Sequence, residues 1–421
     1  MIRPRAAALA LLAGCATGGG AGAPLRFWAF GREGEVVQEL VQGFEREHPG
    51  VRVRVQQIPW TAAHEKLLTA FVGRVPPDVA QLGNTWIPEF AALGALEPLE
   101  SRRAGSAELP RDAFFPGIWD PNVIGDTLLG IPWYVDTRVL FYRKDLLRQA
   151  GVGRPPETWD EWRAAMVALK RRGRDRYPML LPLSEWQPLI ILGMQTGSPL
   201  VDVDRAESAF GEARFRRAFD FYLDLFRSEL APGVGAVQLG NIYQEFARGY
   251  FAMYITGPWN VAEFKHRLPA DLQSAWATAP LPGTDGPASG YSVAWGSSLV
   301  IFRRSRQNDT AWRLIEYLSR PAQQLRFMRL SGDLPARREA WRDSTLAGEP
   351  AFAAFRTQLD RVRSTPKVPE WEQIATAAMD QAERAVRGQA SADRVVADLD
   401  RQVNAILEKR RWLIQRRVAQ R

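Results

Sequence analysis

Leu25-Arg26-Phe27-Trp28-Ala29-Phe30-Gly31 opens the folded body. The six residues before the glycine read as an apolar strand, and Gly31 reads as the turn that ends it. Val36, Val37, Leu40, Val41 and Phe44 then recur at helical spacing until His48-Pro49-Gly50 stops the pattern. Next, Val51, Val53 and Val55 alternate with Arg52, Arg54 and Gln56, the period of a half-buried strand. A second helix is predicted near Ala62–Val72 and a third strand near Asp78–Leu82. Strand, helix, strand, helix, strand at this spacing predicts an open α/β sheet.

The same rhythm resumes further on. Val139-Leu140-Phe141-Tyr142 reads as a strand, and Arg143–Leu147 begins a short helix. Thr158 with Glu161 three residues later is a capping-box pattern. Helices are predicted over Phe215–Phe226, Gln244–Gly249 and Asp309–Leu318, the last with Ala311, Leu314, Ile315 and Leu318 on one face. Leu299–Phe302 reads as a late strand, and about Trp371–Trp412 as helical. No internal repeat is visible. With 421 residues and ordinary apolar content, the chain is long enough for two lobes of roughly 150–200 residues each.

The first residues form a targeting segment. Arg3 and Arg5 give a positive start and Ala6–Ala13 a short apolar run, too short to span a bilayer. Leu12-Ala13-Gly14-Cys15 follows, and Cys15 is the only cysteine of the chain. The pattern resembles a lipobox, which implies lipidation at Cys15, removal of residues 1–14, and a mature protein without disulfides. Residues 16–23 are small and glycine-rich, the composition of a tether. Net charge is +8, with one basic cluster at Lys409, Arg410, Arg411, Arg416, Arg417 and Arg421, which reads as a solvated helix end or, alternatively, as a contact for anionic lipid headgroups or an acidic partner. No nucleic-acid motif accompanies it, so a nucleic-acid partner is not expected.

Four segments carry a resemblance to a known family. They are Gly130-Ile131-Pro132-Trp133-Tyr134-Val135-Asp136-Thr137-Arg138-Val139-Leu140-Phe141-Tyr142-Arg143-Lys144-Asp145-Leu146-Leu147, Pro155-Pro156-Glu157-Thr158-Trp159-Asp160-Glu161, Ala252-Met253-Tyr254-Ile255-Thr256-Gly257-Pro258-Trp259 and Leu334-Pro335-Ala336-Arg337. In this order they resemble the extracellular solute-binding proteins of carbohydrate ABC importers. The resemblance is collinear from about residue 25 to the C-terminus. Arg143 stands where the family usually has asparagine; the same departure resembles the trehalose/maltose-binding branch and leans toward a disaccharide ligand. The resemblance implies a two-lobed α/β periplasmic-binding-protein-like fold of type II. One lobe would comprise 24–134 plus 288–331, the other 137–287 plus 332–421, with ligand in the cleft between them. It further implies a monomer, lipid-anchored at the outer or periplasmic face of a membrane, that delivers a small carbohydrate to importer permease subunits.

Sugar rings present C–H faces to aromatic rings and hydroxyl edges to charged or polar groups. The chain has 15 tryptophans, several of them in turns rather than apolar runs. On this chemistry and the resemblance, the expected ligand contacts are Trp259, Trp295 with Gly296, Trp186 and Tyr134 for stacking and close approach. Asp136, Glu33, Arg32, Asn84 and Arg337 are expected to serve as polar partners. Arg337 has an interlobe salt bridge as its alternative role. No metal, cofactor or catalytic residue is expected: His48, His64 and His266 lack ligand spacing, and no nucleophile elbow or phosphate loop is present. Two other readings are a binder of phosphorylated polyols or sugar phosphates, with Arg32 and Arg337 as anion contacts, and an exported carbohydrate-active enzyme. A scaffold lipoprotein without transport function is a further class.

Overall fold

A computed structural model describes residues 23–419, so Cys15, residues 1–14 and most of the tether lie outside the described residues. Two sheets organise the chain. The first has six strands in the order Leu334–Pro335, Ile131–Val135, Gly296–Ile301, Val79–Gly83, Leu25–Phe30 and Val53–Ile58. Leu25–Phe30 runs parallel to both Val53–Ile58 and Val79–Gly83. Gly296–Ile301 is antiparallel to its two neighbours. The second sheet has four strands in the order Trp276–Ala279, Val139–Arg143, Phe251–Thr256 and Tyr177–Leu180.

The local readings hold with small shifts. The helix after the first strand spans Gly31–Glu47 and buries Val36, Val37, Leu40, Val41 and Phe44. The second spans Trp60–Val72, and the third strand Val79–Gly83. Thr158 caps Trp159–Lys170 by accepting from the Glu161 backbone N–H at 3.1 Å. The expected helical stretch to Trp412 is instead three helices, Trp371–Val386, Ala392–Ile406 and Glu408–Ala419. The first break contains Gly388 at φ 68°, a left-handed conformation that glycine adopts freely.

Alternation along the strands distributes the core. In Val139–Arg143, Val139 and Phe141 face one hydrophobic cluster while Leu140 and Tyr142 face another. The first cluster covers one face of both sheets and runs continuously from Phe27 and Trp133 to Phe141 and Trp276. The other faces are closed separately: by Trp60–Val72 and neighbours on the first sheet, and by Trp159–Lys170, Gln187–Gln195, Ala213–Arg227 and Trp371–Val386 on the second.

The chain crosses between the sheets repeatedly. Ile131–Val135 in one sheet and Val139–Arg143 in the other are separated only by Asp136-Thr137-Arg138. The return passes through Ser292–Val293 and Trp295 into Gly296–Ile301. A further crossing follows Leu334–Pro335, after which Pro350–Gln358 packs on Trp276–Ala279. Hydrogen bonds stitch the first two crossings together: Asp136 N to Trp295 O at 2.9 Å, Thr137 Oγ1 to Val293 O at 3.0 Å, and Ser292 Oγ to Arg138 O at 2.8 Å. One boundary needs correction: Leu334–Pro335, placed by sequence with the second lobe, pairs antiparallel with Ile131–Val135 in the first sheet.

Candidate functional site

The site grows from the crossing. Asp136 and Arg138 lie on the three-residue link, and the Arg138 guanidinium donates to Asp136 Oδ1 at 2.9 Å. That guanidinium sits over two indole faces, 4.5 Å from the Trp259 ring centroid and 5.2 Å from Trp295. Trp259 begins the helix Trp259–Arg267, directly after Gly257-Pro258. A Cβ on Gly257 would fall 1.8 Å from the Trp259 ring and 2.5 Å from Arg138 Nη1, so glycine is what lets the stack form. Trp295 continues the aromatic wall to Trp186, centroid to centroid 5.2 Å.

The first sheet supplies the facing wall through the C-terminal ends of its parallel strands. Gly31 turns at φ 48°, and a Cβ there would lie 2.7 Å from Trp60 Cδ1. Two residues on, within the first helical turn, Glu33 accepts from Tyr134 Oη at 2.8 Å and from Trp60 Nε1 at 3.2 Å. Tyr134 Oη in turn accepts from Gln81 Nε2 and Ser297 Oγ, each at 3.0 Å. Asn84, at the end of Val79–Gly83, accepts from Ser298 Oγ at 3.0 Å and lines one narrow gap with Trp186 and Trp295. That gap holds about 10 Å³, room for about one water molecule.

Four buried carboxyls are displaced upward here: Asp136 and Glu185 beside Arg138, and Glu33 and Asp333, which interact with each other and with Asp136. Burial pushes Asp136 to about 7, against the pull of Arg138 and with added repulsion from Glu33 and Glu185. Burial likewise raises Glu33, partly offset by its hydrogen bonds from Tyr134 and Trp60. Glu185, which accepts from Tyr254 Oη at 3.2 Å, is raised by burial although Arg138 opposes it. Asp333 lies well above the ordinary carboxylate range through burial and the charges of Glu33 and Asp136. One arginine against four carboxyls makes this region rich in hydrogen-bond acceptors and poor in fixed positive charge.

Of the residues expected from sequence, Glu33, Tyr134, Asp136, Trp186, Trp259, Trp295 and Asn84 gather around these walls. Gly296 supports them: its φ is 142°, and a Cβ would fall 2.2 Å from Tyr134 O, so it fastens two strands behind the site. Arg32 does not join. Its side chain is 56% exposed and pairs with Glu35 at 2.7 Å. Arg337 does not join either. It is buried over the Phe114 ring, donating to Glu108 O at 2.7 Å and Ser319 O at 3.2 Å, and no ion pair links it to any described residue. Leu334–Pro335 ends just before Arg337 and carries it into the first-sheet core, which is why neither expected role fits.

Sequence reasoning missed Arg138, Glu185, Asp333, Trp60 and Gln81. Glu185 was detectable as the immediate neighbour of Trp186, whereas Arg138, two residues after Asp136, reads from sequence alone as a solvated strand end. Asp333 and Gln81 reach the cluster only through chain crossing and sheet pairing. Among the described residues no group of three His, Asp or Glu side chains is placed to hold a metal ion.

Comparison with known proteins adds the family. The model of the bacterial extracellular solute-binding proteins matches residues 30–325. A solved structure of the sugar-binding protein MalE from the phytopathogen Xanthomonas citri is 49% identical, covers 93% of this chain and 99% of its own, and superposes with a TM-score of 0.90. The diacetylchitobiose-binding protein DasA of Streptomyces coelicolor is 26% identical over 80% of this chain and 77% of its own length. An uncharacterised lipoprotein of Streptomyces antibioticus is 28% identical over 88% of this chain and 85% of its own.

Proposed function

The chain belongs to the bacterial extracellular solute-binding proteins, and from that membership we propose that it captures a neutral sugar, a disaccharide such as trehalose or maltose, for an ABC importer. Like its relatives it is a binding protein and not an enzyme. The observation that carries the reading is the Arg138 stack between Trp259 and Trp295 beside Asp136, on the link between the two sheets. Indole faces suit C–H ring faces, and carboxylates accept from hydroxyl edges. The sugar-binding names of the Xanthomonas citri and Streptomyces coelicolor relatives agree with this choice. The phosphorylated-ligand reading loses its basis, because its anion contacts Arg32 and Arg337 do not face the site and four carboxyls do.

In this reading the two lobes comprise about 24–134 with 288–331 and the strand Leu334–Pro335, against 137–287 with the remaining C-terminal part. Sugar enters when they part and is held when they close, hinge motion being the known repertoire of such binding proteins. Cys15 carries the lipid anchor, as the lipoprotein name of the Streptomyces antibioticus relative supports. Among the described residues no helix is long and apolar enough to cross a membrane. The test is a thermal-shift and tryptophan-fluorescence screen of trehalose, maltose and longer glucans against sugar phosphates. A saturable response to a neutral sugar supports the proposal. A response to phosphorylated ligands alone would sink it.

A further inference from the structure

Because Leu25–Phe30, Val53–Ile58 and Val79–Gly83 are parallel, their C-terminal ends carry Gly31 and Asn84 toward the site and their N-terminal ends share the opposite edge. The antiparallel strand Gly296–Ile301 finishes at that same edge. There Arg54, Arg74, Arg304 and Arg306 surround Ala23 and Pro24, the first described residues. All four arginines are exposed. Arg26 beside them pairs with Asp78 at 3.4 Å, but among the described residues these four have no carboxylate partner. Arg74 holds φ 62°, a left-handed conformation unusual for a residue with a side chain, between the exposed Val72 (77%) and Val75 (62%). In the basic cluster at the C-terminus, by comparison, Arg410 pairs with Glu370 at 2.9 Å, Arg411 donates to Ala206 O, and Arg416 lies over the Trp412 ring.

Guanidinium groups match phosphate oxygens in charge and geometry, and exposed valines among them suit the boundary between headgroups and acyl chains. The chain's own length favours a lipid surface as the occupant. Ala23 lies eight chain steps after Cys15, so at full extension an acylated Cys15 keeps the body within about 28 Å of the bilayer. We infer that this arginine-rich end of the first sheet, opposite the strand ends that carry Gly31 and Asn84, docks on anionic lipid headgroups. The inference rests on the lipid-anchor reading of Cys15. The patch then acts as a second membrane signal beside the acyl chains.

Full-length Cys15→Ser protein is floated with vesicles of phosphatidylcholine alone or with added phosphatidylglycerol. Binding should need phosphatidylglycerol, weaken with salt, and fall on the order of fivefold for each arginine removed in the quadruple variant Arg54→Ser/Arg74→Ser/Arg304→Ser/Arg306→Ser. The control Arg171→Ser/Arg174→Ser/Arg205→Ser/Arg214→Ser removes equal charge elsewhere and should bind as before. Unchanged circular dichroism and melting temperature establish that both variants fold. Equal loss in the control, retained binding in the first variant, or no preference for phosphatidylglycerol overturns the inference. Acylation is read separately from the mass of the wild-type N-terminal peptide. An unmodified Cys15 removes the anchor reading, while the vesicle result still decides the docking face.

Discussion

Asp136 concentrates the chemistry of the site in one carboxyl. Burial holds it at about 7, where it exchanges a proton in the physiological range. A sugar hydroxyl donating to it favours the ionised form, so ligand binding should lower its pKa and release a proton. Affinity measured by calorimetry should therefore rise from pH 6 to pH 8, and Asp136→Asn should flatten the profile. For the unliganded protein the sign is opposite. The folded state binds the proton more tightly than the unfolded chain, so stability from this group is present below the unfolded value and lost as pH rises through 7. Melting temperature without sugar should decline over that interval, less so in Asp136→Asn. Trp259→Ala removes one face of the Arg138 stack and should weaken sugar binding about tenfold or more, with the melting temperature little changed. Wild-type affinity in that variant would place the sugar elsewhere. Trp259 was legible in the sequence because it follows the Gly257-Pro258 turn, and Asp136 because it interrupts an otherwise apolar stretch after Gly-x-Pro. Arg138 was not, because a lone arginine before an apolar strand reads as a solvated end until its two tryptophans are seen.

Elements behave differently from single residues, because their ends carry the function. Among the parallel strands of the first sheet, the first was readable from its apolar run ending at Gly31 and the second from the alternation of Val51, Val53 and Val55. The short strand Leu334–Pro335 was not, since two residues carry no period, and pairing with Ile131–Val135 alone defines it. The strand Gly296–Ile301 shows how an element end is fixed. Gly296 takes φ 142° with the Tyr134 carbonyl where a side chain would begin. Gly296→Ala should cost about 2 kcal/mol or more and lower the calorimetric melting temperature by several degrees. An unchanged transition would show that the two strands adjust freely there. The long C-terminal helical pattern was legible as helix but not as three pieces, because glycine within a helical pattern marks a break only when packing turns the chain.

For the whole molecule the governing feature is the continuous core beneath both sheets, joined by links that share hydrogen bonds at Asp136, Thr137 and Ser292. In the proposed reading these links are the hinge, where bending would leave both sheets intact. On the proposed reading that a disaccharide binds in the gap beside Asn84, Trp186 and Trp295, its volume of about 10 Å³ requires the walls to part before the sugar enters. Small-angle scattering should show the radius of gyration falling as a bound sugar closes the lobes, and no change at saturating sugar would contradict hinge capture. Cys15→Ser should move the protein from the membrane to the soluble fraction in cells. Retention of an unacylated chain in the membrane fraction would count against the anchor.

By itself the sequence determined the α/β class, the order of the principal strands and helices, the family resemblance and most of the aromatic and acidic residues near the cleft. These are written in local period, in turn residues and in short collinear motifs. Only the tertiary structure decided which charged groups share that space. It withdrew Arg32 to the surface and Arg337 into a core, set Arg138 against Trp259 and Trp295, and brought Glu185 and Asp333 near Asp136. The physical reason is that a carboxyl's burial and neighbours depend on chain crossings between two sheets, and a sequence carries no local sign of which distant segments those crossings bring together.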